Sequence, residues 1–224
     1  MPTIVSGTVP ASEFALDYSL ETLPELMFEV ERIVSSGDEA LMPLLWVRGA
    51  DRERVEETLE ADPTVDNVSL LGDFDDEWLF RMEWIGHVDL IVQMLVNSEA
   101  TVLDAVGHED RWKLRVLYPR RSLFSKTHEF CDEHNLDFQV ESIRELDGEP
   151  AGRYGLTTEQ YEVLATAVSM GYFEVPRSVT LQELAEEFDV SHQAISERLR
   201  RATNALVQDT LFVGLNEQEF SNSG

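Results

Sequence analysis

The chain has 224 residues, of which 43% are hydrophobic and 9% aromatic, and this composition suits one large or two small folded domains. Its 17 basic and 44 acidic residues give a formal net charge of -27, which taken alone argues against nucleic-acid binding because phosphates attract the opposite sign. No apolar run approaches the ~20 residues that span a bilayer, and the N-terminus lacks the basic and apolar regions of a secretory signal. A single cysteine, Cys131, excludes a disulfide framework, so we expect a cytoplasmic protein without membrane contact.

The basic residues are almost all arginines, since only Lys113 and Lys126 are lysines. An acid-rich and lysine-poor composition resembles that of proteins from salt-in halophilic archaea. In those organisms an acidic surface keeps proteins hydrated in molar salt. The Debye length there is only ~3 Å, so the salt screens the repulsion between the acidic groups. The composition therefore indicates a halophilic archaeon, and the net charge then says little about the ligand.

The first 150 residues mix strand patterns with helical patterns. Strands are predicted at Thr3–Val9, Met42–Arg48, Val65–Leu71 and Trp78–Trp84. Apolar residues between Leu20 and Val34 recur at helical spacing, which predicts a helix that starts at about Pro24. The stretch DRERVEETLE predicts an amphipathic helix over residues 51–60, with Asp51 as its cap.

From Trp78 onward the pattern is strand, helix, strand, strand, helix, strand, which is the order of a ferredoxin-like α/β sandwich. The five later segments are Val88–Leu95, Ala100–Val106, Trp112–Tyr118, Ser122–His134 and Phe138–Ile143. We therefore expect an α+β protein with a ferredoxin-like N-terminal domain. The preceding segments either extend the same sheet or form a second half-unit.

A break in the pattern follows at LDGEPAGRYG, which has three glycines, one proline and no periodicity. Beyond it the strand signals vanish and the pattern is helical. We predict a sensor or assembly domain at residues 1–146, a linker at 147–155, a helix-turn-helix domain at 156–215 and a polar tail at 216–224.

The helical region begins with a helix capped by Thr157 or Thr158. Its predicted apolar face consists of Tyr161, Leu164, Ala165 and Val168. A second helix follows the cap Thr180 and places Leu181, Leu184, Ala185 and Phe188 on one face.

A three-residue turn, Asp189-Val190-Ser191, leads to a third helix, which Ser191 caps and which is anchored by Ile195 and Leu199. The crossing point of a helix-turn-helix needs a small residue such as Ala185. Its turn needs a residue that tolerates the left-handed region, as Asp189 does. The third helix, over about residues 192–204, is then the recognition helix.

The outward face of this helix decides whether it can contact DNA. Gln193 can pair with adenine, Glu197 with cytosine, Ser196 with a base or a phosphate, and Arg200 with guanine or a phosphate. The predicted contact residues are Arg177, Thr180, Ser191, His192, Gln193, Ser196, Glu197, Arg198, Arg200 and Arg201. The alternative for the arginines is an ordinary solvated surface.

The segments LTTEQYEVLATAVSMGYFEVPR and TLQELAEEFDVSHQAISERLRRA resemble the helix-turn-helix of the haloarchaeal bacterio-opsin activator (Bat) type. The segments WLFRMEWI, ATVLDAVGHEDRWKLRVLYP and FCDEHNLDFQV resemble the domain often joined to it. The resemblance implies a transcription regulator of a halophilic archaeon, acting on double-stranded DNA without the PAS and GAF sensor domains of larger members.

The sequence gives little evidence for functional sites other than the DNA contacts. His128, Cys131 and His134 cannot converge on one metal ion, because the two histidines lie about 240° apart around a helix. We expect no metal, no cofactor and no enzymatic activity. Leu206, Val207, Leu211 and Phe212 can support a homodimer, and the N-terminal domain can bind a small molecule. The alternative function is a protein–protein assembly module that uses the helix-turn-helix for protein contact.

Overall fold

The computed structural model describes residues 1–35, 41–85, 89–92, 94, 97–146 and 154–211. The chain divides into two compact units, Met1–Glu145 and Leu146–Gly224. The first contains an antiparallel sheet with helices and the second is helical, which confirms the α+β class. Residues 147–153 of the predicted linker, the predicted tail and part of the predicted helix at residues 88–95 lie outside the described residues.

Within its described residues, the first unit has eight strands and four α-helices. The strands are β1 (Thr3–Pro10), β2 (Met27–Ser35), β3 (Leu41–Arg48), β4 (Val65–Phe74), β5 (Glu77–Trp84), β6 (Thr101–His108), β7 (Arg111–Tyr118) and β8 (Gln139–Glu145). The helices are α1 (Asp17–Thr22), α2 (Arg52–Ala61), α3 (Asp89–Val92) and α4 (Arg121–His134), with a 3-10 turn at Ala11–Glu13.

All eight strands join one sheet in the order β4-β5-β3-β2-β6-β7-β1-β8, and every described pair is antiparallel. The half β6-β7-β1-β8 has the strand order of a ferredoxin-like sandwich, but its first strand is β1. The prediction that Trp78–Trp84 fills that place is wrong, because this segment pairs with β3 and β4 instead. The preceding segments extend the same sheet, as one of the two predicted arrangements requires.

The segment after Pro24 is a strand, so the helix predicted there is wrong. Leu26 and Phe28 are buried and alternate with exposed or half-buried neighbours, as in a strand with one face in the core. The strand pairs with β3 along its length and with β6 at its start, and these pairings override the helical spacing of its apolar residues. A helix forms earlier, as α1.

The core of the first unit lies on one face of the sheet, where the helices bury their apolar sides. Trp112, Leu114, Val116 and Tyr118 of β7 are at most 1% exposed, as their alternation predicts. The rings of Phe14, Trp84 and Trp112 pack against one another, with centroids 5.2 to 5.7 Å apart. None of the described helices is long and apolar enough to cross a membrane.

The second unit contains, among its described residues, the helices α5 (Thr158–Ser169), α6 (Leu181–Glu187) and α7 (His192–Leu211). It has its own apolar cluster, here called the C-terminal core. Its fully or nearly fully buried members are Val163, Ala167, Leu184, Ala185, Ile195, Leu199 and Ala202.

Candidate nucleic-acid interface

The three helices of the second unit meet through small and branched side chains. Ala185 of α6 is 1% exposed and Ile195 of α7 is fully buried, as the helix-turn-helix pattern predicts. The predicted inner face of α5 is wrong in part, because Val163 and Ala167 are buried whereas Val168 is 65% exposed. Two adjacent apolar rows run along α5, and its packing on α7 selects one of them.

The turn between α6 and α7 is built around Asp189, which has a left-handed backbone with φ of 50°. Its N–H donates to the carbonyl of Glu186 over 3.1 Å, and the N–H of Val190 donates to the carbonyl of Ala185 over 3.0 Å. These two bonds form a Schellman motif, a helix ending that usually has glycine at the left-handed position. The predicted role of Asp189 in the turn is confirmed.

A reciprocal capping box starts α6. The N–H of Glu183 donates to Thr180 Oγ1 over 3.3 Å, and the N–H of Thr180 donates to Glu183 Oε2 over 2.7 Å. Two hydrogen bonds from Thr180 lower the pKa of Glu183, the larger effect coming from the backbone N–H and the smaller from the hydroxyl. This carboxylate therefore stays charged. The Thr180 hydroxyl also donates to the same carboxylate over 2.8 Å, so a DNA phosphate at this position must displace Glu183.

The first turn of α7 is fixed by Ser191, whose Oγ accepts from the N–H of Ala194 over 3.2 Å. Ile195, Leu199 and Ala202 point into the C-terminal core, and the helix continues to Leu211. Seven of the predicted contact residues lie on α7 and Ser191 directly precedes it, whereas Thr180 caps α6 and Arg177 lies before that cap. Arg177, Thr180, Ser191, His192, Gln193, Ser196, Arg200 and Arg201 are exposed, and Glu197 and Arg198 are half-buried.

Glu197 links two other outward side chains on α7, those of Gln193 and Arg201. Gln193 Nε2 donates to Glu197 Oε1 over 3.4 Å, and Arg201 approaches Glu197 Oε2 at 4.0 Å. The three residues are spaced by four and so form one row along the helix. Because Gln193 and Arg201 are exposed and Glu197 is only half-buried, these contacts orient the side chains but contribute little to stability.

The segment between α5 and α6 is folded, which sequence reasoning missed. The guanidinium of Arg177 lies 5.1 Å from the ring centroid of Tyr172, and Gly171 has a left-handed backbone with φ of 76°. A glycine just after an amphipathic helix was the available signal for a structured helix ending. The segment thus gives the one contact candidate outside the helix-turn-helix, Arg177, a defined position.

The two histidines on either side of Cys131 bond to groups of their own helix, α4. His128 Nδ1 lies 3.2 Å from Asp132 Oδ2, and His134 Nδ1 lies 2.9 Å from the carbonyl oxygen of Phe130, so each histidine bonds within its own helix. Burial raises the pKa of Cys131 to about 11, which keeps the thiol neutral and unreactive. The described residues hold no group of three or more side chains fit to bind a metal ion.

Comparison with known families accounts for nearly the whole chain. A family described as "HTH DNA binding domain" matches residues 156–208, and one described as "GAF and HTH_10 associated domain" (BAT) matches residues 11–158. The second match covers more than half of the chain. The chain belongs to the Bat family. Its match begins after β1, although this strand occupies an inner position of the sheet.

Two relatives of this Bat-family chain come from Haloferax volcanii. A stretch of 58 residues is 41% identical to "Transcriptional regulator NarO", covering 26% of this chain and 28% of that protein. A stretch of 62 residues is 40% identical to a protein provisionally named as a transcriptional regulator, covering 28% of this chain and 10% of that protein. The chain therefore matches only a minor part of the length of either relative.

Ion pairing differs between the two units of this Bat-family chain. In the described part of the first unit, basic side chains paired with carboxylates are Arg48, Arg52, Arg54, Arg111, Lys113, Arg115 and Arg121. Unpaired ones there are Arg81 on β5 and Arg120 and Lys126 at α4. In residues 154–211, Arg177, Arg198 and Arg200 form no ion pair, and Arg201 has only the 4.0 Å approach to Glu197.

Proposed function

We propose that the chain is a sequence-specific DNA-binding transcription regulator of a halophilic archaeon, with the first part of α7, about residues 192–204, in the major groove. The observation that carries the proposal is that Arg177, Arg198 and Arg200 have no carboxylate partner among the described residues of a chain with 44 acidic residues. Unpaired guanidinium groups remain available to phosphates and to guanine edges. The helix-turn-helix family match and the names of the two relatives support the same function.

Each outward residue of α7 has a chemical role in this proposal. Gln193 pairs with adenine and Arg200 with guanine, while Glu197 accepts from cytosine N4. The remaining proposed contacts, to phosphates or to either kind of group, come from Arg177, Thr180, Ser191, His192, Ser196, Arg198 and Arg201. Because Glu197 also holds Gln193 and approaches Arg201, a base that engages Glu197 must reorganise this row.

Binding in molar salt limits what the phosphate contacts contribute. Counterion release adds little when the salt concentration is already high, so base contacts, DNA shape and dimerisation must provide more of the affinity. A dimer places two recognition helices roughly 34 Å apart on a pseudo-palindrome. Leu206 and Val207 are half-buried and can contribute to a dimer contact, whereas the side chain of Leu211 and all of Phe212 lie outside the described residues.

The test is selection of binding sites from a pool of random duplex DNA by the purified full chain in molar KCl. We expect one enriched motif, and its symmetry reports whether the chain binds as a dimer. The variant Gln193→Ala/Arg200→Ala should lose the motif while its circular dichroism stays that of the wild type. The control Arg121→Ala removes an exposed arginine of α4 and should select the same motif as the wild type. Unchanged selection by the double variant would refute the assignment of α7 as the recognition helix.

A second candidate function is a protein–protein assembly module. Residues 154–211 contain nine acidic residues against four arginines, and Val168, Phe173 and Val175 are 65%, 52% and 99% exposed. An acidic surface with exposed apolar side chains favours a protein partner over DNA. Absence of any enriched motif, together with co-purification of one defined protein that Val168→Ser/Phe173→Ser releases, would favour this function.

The first unit is proposed to sense a small molecule or to mediate assembly. A surface cleft of about 640 Å³ lies beside α1 and the β6–β7 turn, and its charged lining is acidic, with Asp17, Glu21, Glu109 and Asp110. Thermal-shift screening separates the two roles. A metabolite that raises the melting temperature supports sensing, and a screen without any such metabolite removes that support.

A further inference from the structure

The segment from Gly171 to Ser178, here called the connector loop, is closed by backbone hydrogen bonds. The N–H groups of Gly171 and Tyr172 donate to the carbonyls of Val168 and Ala167 over 3.0 and 2.9 Å, which ends α5 in a Schellman motif. The carbonyl of Gly171 then accepts from the N–H of Ser178 over 3.0 Å, which joins the two ends of the loop. A Cβ at Gly171 would lie 2.7 Å from Ser178 Cβ, so the closure requires glycine there.

The ring of Tyr172 is the fixed platform inside this loop. It is half-buried against the C-terminal core, and the ring of Phe173 meets it edge-on at a centroid distance of 5.1 Å. The guanidinium carbon of Arg177 lies 5.1 Å from the centroid of the Tyr172 ring, which is within the range of a cation–π contact. An otherwise exposed arginine is thereby restricted in its conformations.

The charge of Arg177 is not neutralised within the described residues. The acidic side chain of the same loop, Glu174, bonds to the hydroxyl of Ser178 instead. The next carboxylate along the chain, Glu183, is held by Thr180 at the start of α6. Arg177 is thus a charged group next to the helix-turn-helix that is positioned by a ring and open to an anion.

We infer that Tyr172 positions Arg177 to contact a backbone phosphate of duplex DNA beside the groove that α7 enters. The inference rests on the proposed function, and it names Tyr172 as a positioning residue that itself touches no DNA. Holding the guanidinium over the ring before binding reduces the side-chain entropy that the contact costs. Thr180 can bind a phosphate only after Glu183 is displaced, so Arg177 is the proposed contact on this side of the motif that needs no such rearrangement.

The test measures binding of the full chain to its selected DNA site as a function of KCl, over the range in which circular dichroism shows the chain folded. Arg177→Ala should weaken binding and lower the slope of log affinity against log salt by about 0.9, the value for one phosphate contact. Tyr172→Leu should weaken binding by about two- to five-fold, the equivalent of an exposed cation–π contact. Tyr172→Phe keeps the ring and should bind as the wild type does.

The double variant decides whether the two residues act together. Tyr172→Leu/Arg177→Ala should bind no more weakly than Arg177→Ala alone, and losses that multiply would overturn the inference. An unchanged salt slope in Arg177→Ala would also overturn it. If Tyr172→Leu does not fold, the contact is tested instead by the NMR chemical shifts of the Arg177 δ protons in the wild-type chain. Absence of an upfield ring-current shift would refute the contact between Arg177 and the Tyr172 ring. If Arg200→Ala lost binding while Arg177→Ala kept the affinity and salt slope of the wild type, this inference alone would be rejected. If the wild type bound no DNA, the proposed function would be rejected as well.

Discussion

Replacing Ile195 with alanine should unfold the second unit at lower denaturant concentration while leaving the first unit unchanged. Ile195 is fully buried at the centre of the C-terminal core, and the two units have separate apolar clusters. Truncating a buried isoleucine to alanine costs about 2–5 kcal/mol, from lost burial and from the cavity that remains. The second unit spans 79 residues, and a unit of that size has only about 4–12 kcal/mol of stability, so the substitution removes a large share of it.

The positions of the tryptophans allow the two units to be followed separately in one sample. All four, Trp46, Trp78, Trp84 and Trp112, lie in the first unit, so tryptophan fluorescence reports on that unit alone. Far-ultraviolet circular dichroism also reports the helices of the second unit. In urea titrations in molar KCl, Ile195→Ala should shift a dichroism transition to lower urea and leave the fluorescence midpoint in place.

The matched control is Leu59→Ala, which truncates a fully buried residue of α2 in the first unit. It should move the fluorescence midpoint and leave the dichroism transition of the second unit where it was. If Ile195→Ala moved the fluorescence midpoint as far as the dichroism midpoint, the units would unfold as one cooperative body. That result would refute independent unfolding of the two apolar cores.

Three further substitutions or conditions test local features. Asp189→Gly should raise the urea midpoint of the second unit by the equivalent of about 0.5–1 kcal/mol. Glycine avoids the conformational energy that aspartate has in the left-handed region, and this gain is partly offset by the greater conformational entropy of glycine in the unfolded chain. A lower midpoint would contradict this prediction. Glu183→Gln keeps an acceptor for the N–H of Thr180 but removes a negative charge, so the affinity for the selected DNA should rise several-fold. The control Glu159→Gln removes a negative charge from α5 and should have a smaller effect on this affinity. Burial raises the pKa of Cys131 to about 11, so alkylation at pH 8 should be much slower in the native chain than in urea. Because the unfolded thiol ionises first, stability should also fall as the pH rises from 9.0 towards 11, and equal alkylation rates in the two states would contradict the burial.

The helix-turn-helix could be predicted from the sequence because its determinants are local. Each depends on residues within a few positions of one another: the cap at Thr180, the left-handed residue Asp189 and the buried pair Ile195 and Leu199. The predicted buried face of α5 is wrong in part, because two apolar rows lie side by side on that helix. The choice between these rows depends on contacts with α7, about thirty residues further along the chain.

The sheet topology could be predicted only in part because strand pairing is not local. The hairpin of β6 and β7 and the helix α4 were predicted from their alternation and spacing. The error at the segment after Pro24 arose because β3 and β6, which pair with it, are not visible in its own periodicity. The position of Arg177 over Tyr172 was missed for the same reason, since ring contacts in loops leave no periodic signal.

The place of β1 inside the sheet has a consequence for synthesis on the ribosome. Residues 3–10 leave the exit tunnel before their partners, which are residues 111–118 and 139–145. The segments that form β2 to β5 can pair among themselves before β1 has any partner. Until then the apolar side chains Ile4, Val5 and Val9, which are buried in the folded chain, are exposed to solvent. Closing so long a loop is slow, and an unpaired apolar strand is prone to aggregate. We therefore expect the nascent chain to need a chaperone, or rapid elongation past residue 145, before this half of the sheet is complete.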